Sequence, residues 1–250
     1  MSDSQPRSET LRGASPEFPP TSWSLVGRAG DQHTRVAADA LETLCRAYWY
    51  PLYAFVRRTG CSPHDAQDWV QSFFEYLLEN RIVGKARQEK GRFRSFLLAT
   101  FKHFMSTEKR RQAAQKRGGG RALISLDEQT SEERYACEPA DSHTPETLFE
   151  LSWARTVVAR AATSLEKEFE STGKREVFLK LQPYLQSGRA GPSYAETASA
   201  LGKSEDAIKS GVLRLRQRFQ QLLRAQIAET VETASEVDEE LQHLRQVLTS

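Results

Sequence analysis

The chain has 250 residues, 38% hydrophobic and 27% charged, with a formal net charge of +2, an ordinary composition for a folded, soluble protein of one large or two small domains. Apolar runs of only a few residues and a polar, Pro-rich N-terminus predict neither a signal peptide nor a membrane span, and hence a cytoplasmic protein. Cys45, Cys61 and Cys137 are widely spaced and lack C-x-x-C or paired Cys/His spacing, which argues against disulfides and zinc and for buried free thiols.

Residues 1–21, rich in Ser, Pro and charge, read as a disordered tail. A first helical domain is predicted over 22–117. It opens with a short helix near Trp23 to Arg28 and a longer one near Thr34 to Tyr48 that continues through Leu52, Tyr53, Phe55 and Val56. The next helix is the best marked of all. Ser62 caps it, Pro63 suits its first turn, and Asp65 stands three residues after the cap, where a carboxylate meets the exposed N–H groups. Ala66, Trp69, Val70, Phe73, Phe74, Leu77 and Leu78 then form a stripe built for burial, with Asp68, Gln71, Ser72, Glu75 and Glu79 opposite. Composition alone makes that polar stripe a solvated surface.

From about Arg92 a last helix interleaves aromatics with cations. Phe93, Phe96, Leu97, Phe101 and Phe104 are either simply core, or one of them is exposed to receive an unstacked base while neighbouring cations hold the nucleic-acid backbone. Gly118, Gly119 and Gly120 end that helix, and 118–143 reads as a flexible acidic linker.

A second helical domain is predicted over 144–228. Thr144 and Pro145 open it, Leu148, Leu151, Val157, Val158 and Leu165 keep helical spacing, and a helix around Lys174 to Leu185 is bent or ended by Pro183. Ser193 then starts a short helix, Gly202 ends it and Ser204 caps the next. Tyr194, Ala198, Leu201, Ile208, Val212 and Leu215 fill the angle between the two, the signature of a helix-turn-helix. In 229–250, Ser235 and Asp238 mark a cap, and Val237, Leu241, Leu244 and Leu248 make a stripe on an acidic terminal helix. With no strand pattern, repeat or glycine-rich phosphate loop, the expected fold is all-α: two small helical domains joined by an acidic linker.

Charge is segregated along the chain. Between Arg81 and Arg121 thirteen Lys and Arg stand against Glu89 and Glu108, whereas between Ser125 and Glu150 acidic residues face Arg134 alone. The stretch Lys203 to Arg224 is basic again. Two cationic modules on an anionic connector suggest two contacts with nucleic acid, because phosphate neutralisation supplies most nonspecific affinity.

The run D-A-Q-D-W-V-Q-S-F-F at 65–74, the basic aromatic segment after it and the late helix-turn-helix together resemble the extracytoplasmic-function (ECF) class of RNA polymerase sigma factors. The resemblance covers about Ser22 to Ile227, through short motifs in the family's order. It implies that Asp68, Gln71 and Glu75 form the face that binds the β′ clamp helices of core RNA polymerase. F-R-S-F-L-L-A-T-F-K-H from Phe93 to His103 resembles the family's F-r-x-W-L-x-x-I-A-R-N, with Phe96 for Trp, Lys102 for Arg and His103 for Asn. It implies that Arg92, Arg94, Phe101, Lys102, His103, Lys109, Arg110 and Arg111 meet the -10 element as it opens. L-G-K-S-E-D-A-I-K-S-G-V-L-R-L-R from Leu201 to Arg216 resembles the DNA-reading helix pair, with Asp206 and Ala207 for Gly-Thr and Gly211 for a common Arg. There the resemblance implies Glu205, Asp206 and Lys209 at base edges of the -35 element, and Ser204, Ser210 and Arg214 on phosphates.

The implied partners are core RNA polymerase, through its β′ clamp helices and β flap, promoter DNA, and an anti-sigma factor or other regulator; no cofactor, metal, membrane or enzymatic step is implied. The alternative is a helix-turn-helix regulator that binds operators without joining the polymerase, and it has no use for the Asp68/Gln71/Glu75 face. The acidic linker is either a solubilising tether or a segment threading the polymerase cleft. The terminal helix is either a brace, most naturally for the second domain, or an acidic shield over that domain's DNA surface. His64 and Asp68 stand one turn apart, but no third metal ligand is placed by sequence.

Overall fold

A computed structural model describes residues 35–80, 82, 92–114, 128–138, 143–185, 192–231 and 233–249. The expected tail, the short helix near Trp23 and segments 118–127 and 139–142 of the connector lie outside them. The described residues form nine α-helices and one 3₁₀ turn, with no strand, in keeping with the all-α expectation. Among them, no helix is long and apolar enough to cross a membrane.

Helix α1 (Arg35–Arg58) runs straight through Pro51. Proline removes one backbone hydrogen bond and crowds the preceding turn, but the residues around it, Tyr48, Trp49, Leu52, Tyr53, Phe55 and Val56, are all buried, and that packing holds the helix. Helix α2 (Pro63–Glu79) begins as its caps require: the Ser62 hydroxyl accepts the Asp65 N–H at 3.1 Å and donates to the Asp65 carboxylate at 2.7 Å. Ala66, Val70, Phe73, Phe74 and Leu77 are buried and Trp69 is half-buried. Helix α3 (Phe93–Ala114) lays Phe93, Leu97, Phe101, Phe104 and Met105 on the same core.

The acidic connector departs from the expectation of a flexible tether, because Glu128–Ala136 is a helix, α4, docked on α1. Nine residues are too few for an isolated helix, so α4 owes its order to tertiary partners. Glu132 accepts from Tyr53 at 2.5 Å and from Arg57 at 2.7 and 3.0 Å. Arg134 lies over the Tyr50 ring at 3.6 Å, and Tyr135 packs edge-on against Tyr53.

Helix α5 (Pro145–Ser171) starts where Thr144 accepts the Thr147 N–H at 3.1 Å. Then come α6 (Arg175–Leu181) with its 3₁₀ turn Gln182–Leu185, α7 (Tyr194–Leu201), α8 (Glu205–Ala228) and α9 (Ala234–Thr249). The buried residues fall into two clusters, but the connector does not separate them. Leu148, Phe149, Trp153, Ala154 and Val157 of α5 share one core with α1, α2 and α3, whereas Leu165 further along joins Phe178, Leu181, Ala198, Ile208, Val212 and Leu215 in the second. Helix α8 makes the same crossing in reverse, ending with Ile227 in the larger core. At 1.5 Å per residue these two helices run about 40 Å and 36 Å, and their apolar stripes turn enough along that length to serve both clusters.

Cys45 is buried and burial pushes its thiol up to about 12, which leaves it inert at neutral pH. Cys137, expected to be buried, is exposed, on the turn after α4.

Candidate nucleic-acid interface

The α2 face opposite the core is acidic and concave. Asp65, Asp68, Glu75 and Glu79 line a groove with Trp69, Tyr76 and Phe104, closed on the α3 side by Glu108 and Arg111, which pair at 3.2 Å. Asp68 is exposed, with His64 3.7 Å away, while Gln71 and Glu75 are half-buried and joined by a 3.2 Å hydrogen bond. The three residues singled out by sequence therefore stand on one helix face, with Asp68 and Glu75 in the groove and Gln71 beside it. Among the described residues, no group of His, Cys, Asp and Glu is placed to hold a metal ion.

Helix α3 divides its residues more sharply than its sequence implied. Lys102, His103, Ser106, Lys109 and Arg110 are exposed along one side, a cationic strip at helical spacing. Phe101 is fully buried, its ring 4.7 Å from Phe73 and 6.0 Å from Phe55, so it cannot receive a base. The aromatic nearer solvent is Phe96, half-buried beside Phe93, at the position where the resembled motif carries Trp.

Arg94 is also not a surface cation. It is 4% exposed, lies over the Trp153 ring at 4.4 Å, and bonds Glu150 at 2.7 Å and Glu240. Arg92 reaches Glu240 at 2.7 Å and Glu239 at 3.3 Å. Lys102 donates to Glu146 at 2.6 Å, and that bond holds the Glu146 carboxyl below its ordinary range. The acidic partners come from α5 and α9.

The α7–α8 pair is built as the sequence reads. Ser193 and Glu196 form a reciprocal capping box, Gly202 ends α7 at φ 59°, where a side chain would strain the turn, and Ser204 accepts the Ala207 N–H at 3.3 Å. Glu205, Lys209 and Leu213 form one exposed row on α8; Asp206, Ser210 and Arg214 form the next. Lys209 pairs with Asp206 at 3.2 Å. Leu213, not foreseen, is 58% exposed at the centre of this face. The other α8 cations serve the protein itself: Arg216 donates to the Tyr184 carbonyl at 3.0 Å, Arg218 clamps Glu168 at 2.6 and 2.8 Å, and Arg224 meets Asp238 at 2.5 Å. Gly211 faces inward, where a Cβ would meet Leu181 at 3.5 Å, so no side chain at this position would reach phosphate.

The terminal helix α9 does not lie over this face. Thr233 and Glu236 cap it reciprocally at 3.1 and 3.2 Å, two residues before the expected signal. Val237, Leu241 and Leu244 are buried in the larger core, against α5 and the end of α8, and Leu248 is 41% exposed. Its acidic side reaches α3. Glu240, buried to 2% exposure, is the ion-pair partner that sequence reading missed, because its cations stand some 146 positions away. No protein-family model, curated protein or solved structure matches the chain.

Proposed function

We propose that this chain is a promoter-directing subunit of RNA polymerase of the ECF sigma type. In this reading α2 binds the β′ clamp helices, α3 takes the strand opened at the -10 element, and α8 reads the -35 duplex with its first two turns in the major groove. The carrying observation is the α2 face: Asp68 and Glu75 line an acidic groove floored by Trp69, Tyr76 and Phe104, while Ala66, Val70, Phe73, Phe74 and Leu77 are committed to the core. A helix needs only those buried residues to fold, and a groove lined by five carboxylates and one arginine suits a basic helical partner. The cationic strip of Lys102, His103, Lys109 and Arg110 and the outward rows of α8 support the nucleic-acid half of the reading.

The test is core-polymerase affinity of Asp68→Asn combined with Gln71→Ala. Substitutions on this face change stability by only about 0.5 kcal/mol, so helicity is kept while affinity falls about tenfold, the loss expected from an interface hot spot. Undiminished affinity in a folded double variant contradicts the assignment.

An operator-binding regulator is the second reading, and one observation favours it: the α8 rows are open to solvent while Arg92 is held in ion pairs and Arg94 is buried. Such a protein binds duplex DNA alone and does not copurify with core polymerase.

A further inference from the structure

We infer that α9 is a releasable mask over Arg92 and Arg94 at the start of α3, weakening the free protein's hold on single-stranded DNA there; this rests on the reading of α3 proposed above.

The contacts form a line. Glu239 and Glu240 of α9 meet Arg92, Glu240 of α9 and Glu150 of α5 meet Arg94, and Glu146 of α5 continues the line at Lys102. Carboxylates thus occupy guanidinium and ammonium groups as phosphates do. A helix serving only as a brace has no need of this. Val237, Leu241 and Leu244 already bury its apolar side, whereas burying Arg94 and Glu240 costs desolvation that the pair's attraction rarely exceeds. What such a pair does provide is registry and an interface whose charged groups recover their hydration on parting. The opposite edge of α9 confirms the direction of the mask: Arg224 pairs with Asp238 near the far end of α8, and the α8 reading rows stay open.

The experiment is fluorescence anisotropy of a labelled single-stranded DNA oligonucleotide with the full chain across a salt series, with hydrogen exchange of α9 measured in parallel. E239Q/E240Q binds about tenfold more tightly than the parent. Its log–log salt slope is steeper by about 0.7, for the one freed cation, Arg92, since Arg94 keeps Glu150. L241S/L244S, which detaches α9 through its apolar side, shows the same gain. E166Q/E170Q removes the same charge from residues that pair with Arg175 and touch neither α3 nor α9, and leaves binding within about twofold. Failure of both gain variants to bind more tightly when exchange shows α9 detached overturns the mask, as does an equal gain in E166Q/E170Q. Core-polymerase binding of the parent and E239Q/E240Q is measured separately: its absence in both defeats the proposed function, whatever the DNA result.

Discussion

Phe101 and Phe96 show how far single residues could be assigned. Both sit in the same basic, aromatic helix, and helical spacing alone gives each a place near the core. Which ring meets solvent depends on the angle at which α3 lies on α2, and that angle is set by Phe73 and Phe55, distant in sequence. Phe101→Ala opens a cavity costing about 3–5 kcal/mol, so its melting temperature falls by roughly 10 °C and any functional loss follows from unfolding. Phe96→Ala keeps most of that stability and instead lowers open-complex formation at a duplex promoter, with recovery on a template already unpaired at the -10 element. Calorimetry and permanganate footprinting of the two variants check this. A stable Phe101→Ala protein, or full opening by Phe96→Ala, contradicts the division. Arg94 carries the same lesson, for its sequence neighbourhood is that of a surface cation and only the fold brings Glu150, Glu240 and Trp153 around it.

Most elements were legible where their ends are written locally; α9 is the exception, capped by Thr233 and Glu236 and not by the expected Ser235 and Asp238. Ser62, Thr144, Ser193, Gly202 and Ser204 all do what their chemistry predicts, because a cap is decided by three or four consecutive residues. Helix α4 was not legible: its composition is that of a solvated tether, and its order comes from Tyr50, Tyr53 and Arg57, some 75 to 84 positions away. The Arg57 hydrogen bonds hold the Glu132 carboxyl below its ordinary range. A depressed carboxylate contributes its stability above the ordinary value, near 4.5, and loses it as pH falls through the folded value. Helix α4 therefore detaches from α1 in acid before the main core opens. Glu132→Gln mimics this at neutral pH. Hydrogen bonds to a charged group contribute about 1.5–3 kcal/mol, and a carboxylate as accessible as this one lies at the lower end, so exchange of the α4 amides rises about tenfold while α1 and α5 keep their protection. Unchanged exchange in residues 128–138 counts against the docking account.

At the scale of the whole molecule, the sequence's division into two domains and a tether becomes two cores joined by the continuous helices α5 and α8. Periodicity located both helices but not the change of partner along each, since a stripe that turns gradually looks like any other amphipathic stripe. In this arrangement the acidic groove of α2 and the outward rows of α8 are open while part of α3 is covered by acid. In the reading proposed above, this arrangement puts polymerase binding first and single-stranded DNA afterwards. The most direct test of the central claim is transcription from genomic fragments by purified core RNA polymerase with and without this chain. The account predicts discrete new start sites that require the protein and vanish with Asp68→Asn and Gln71→Ala. Transcription from core polymerase that is unchanged by a folded, DNA-binding protein contradicts it.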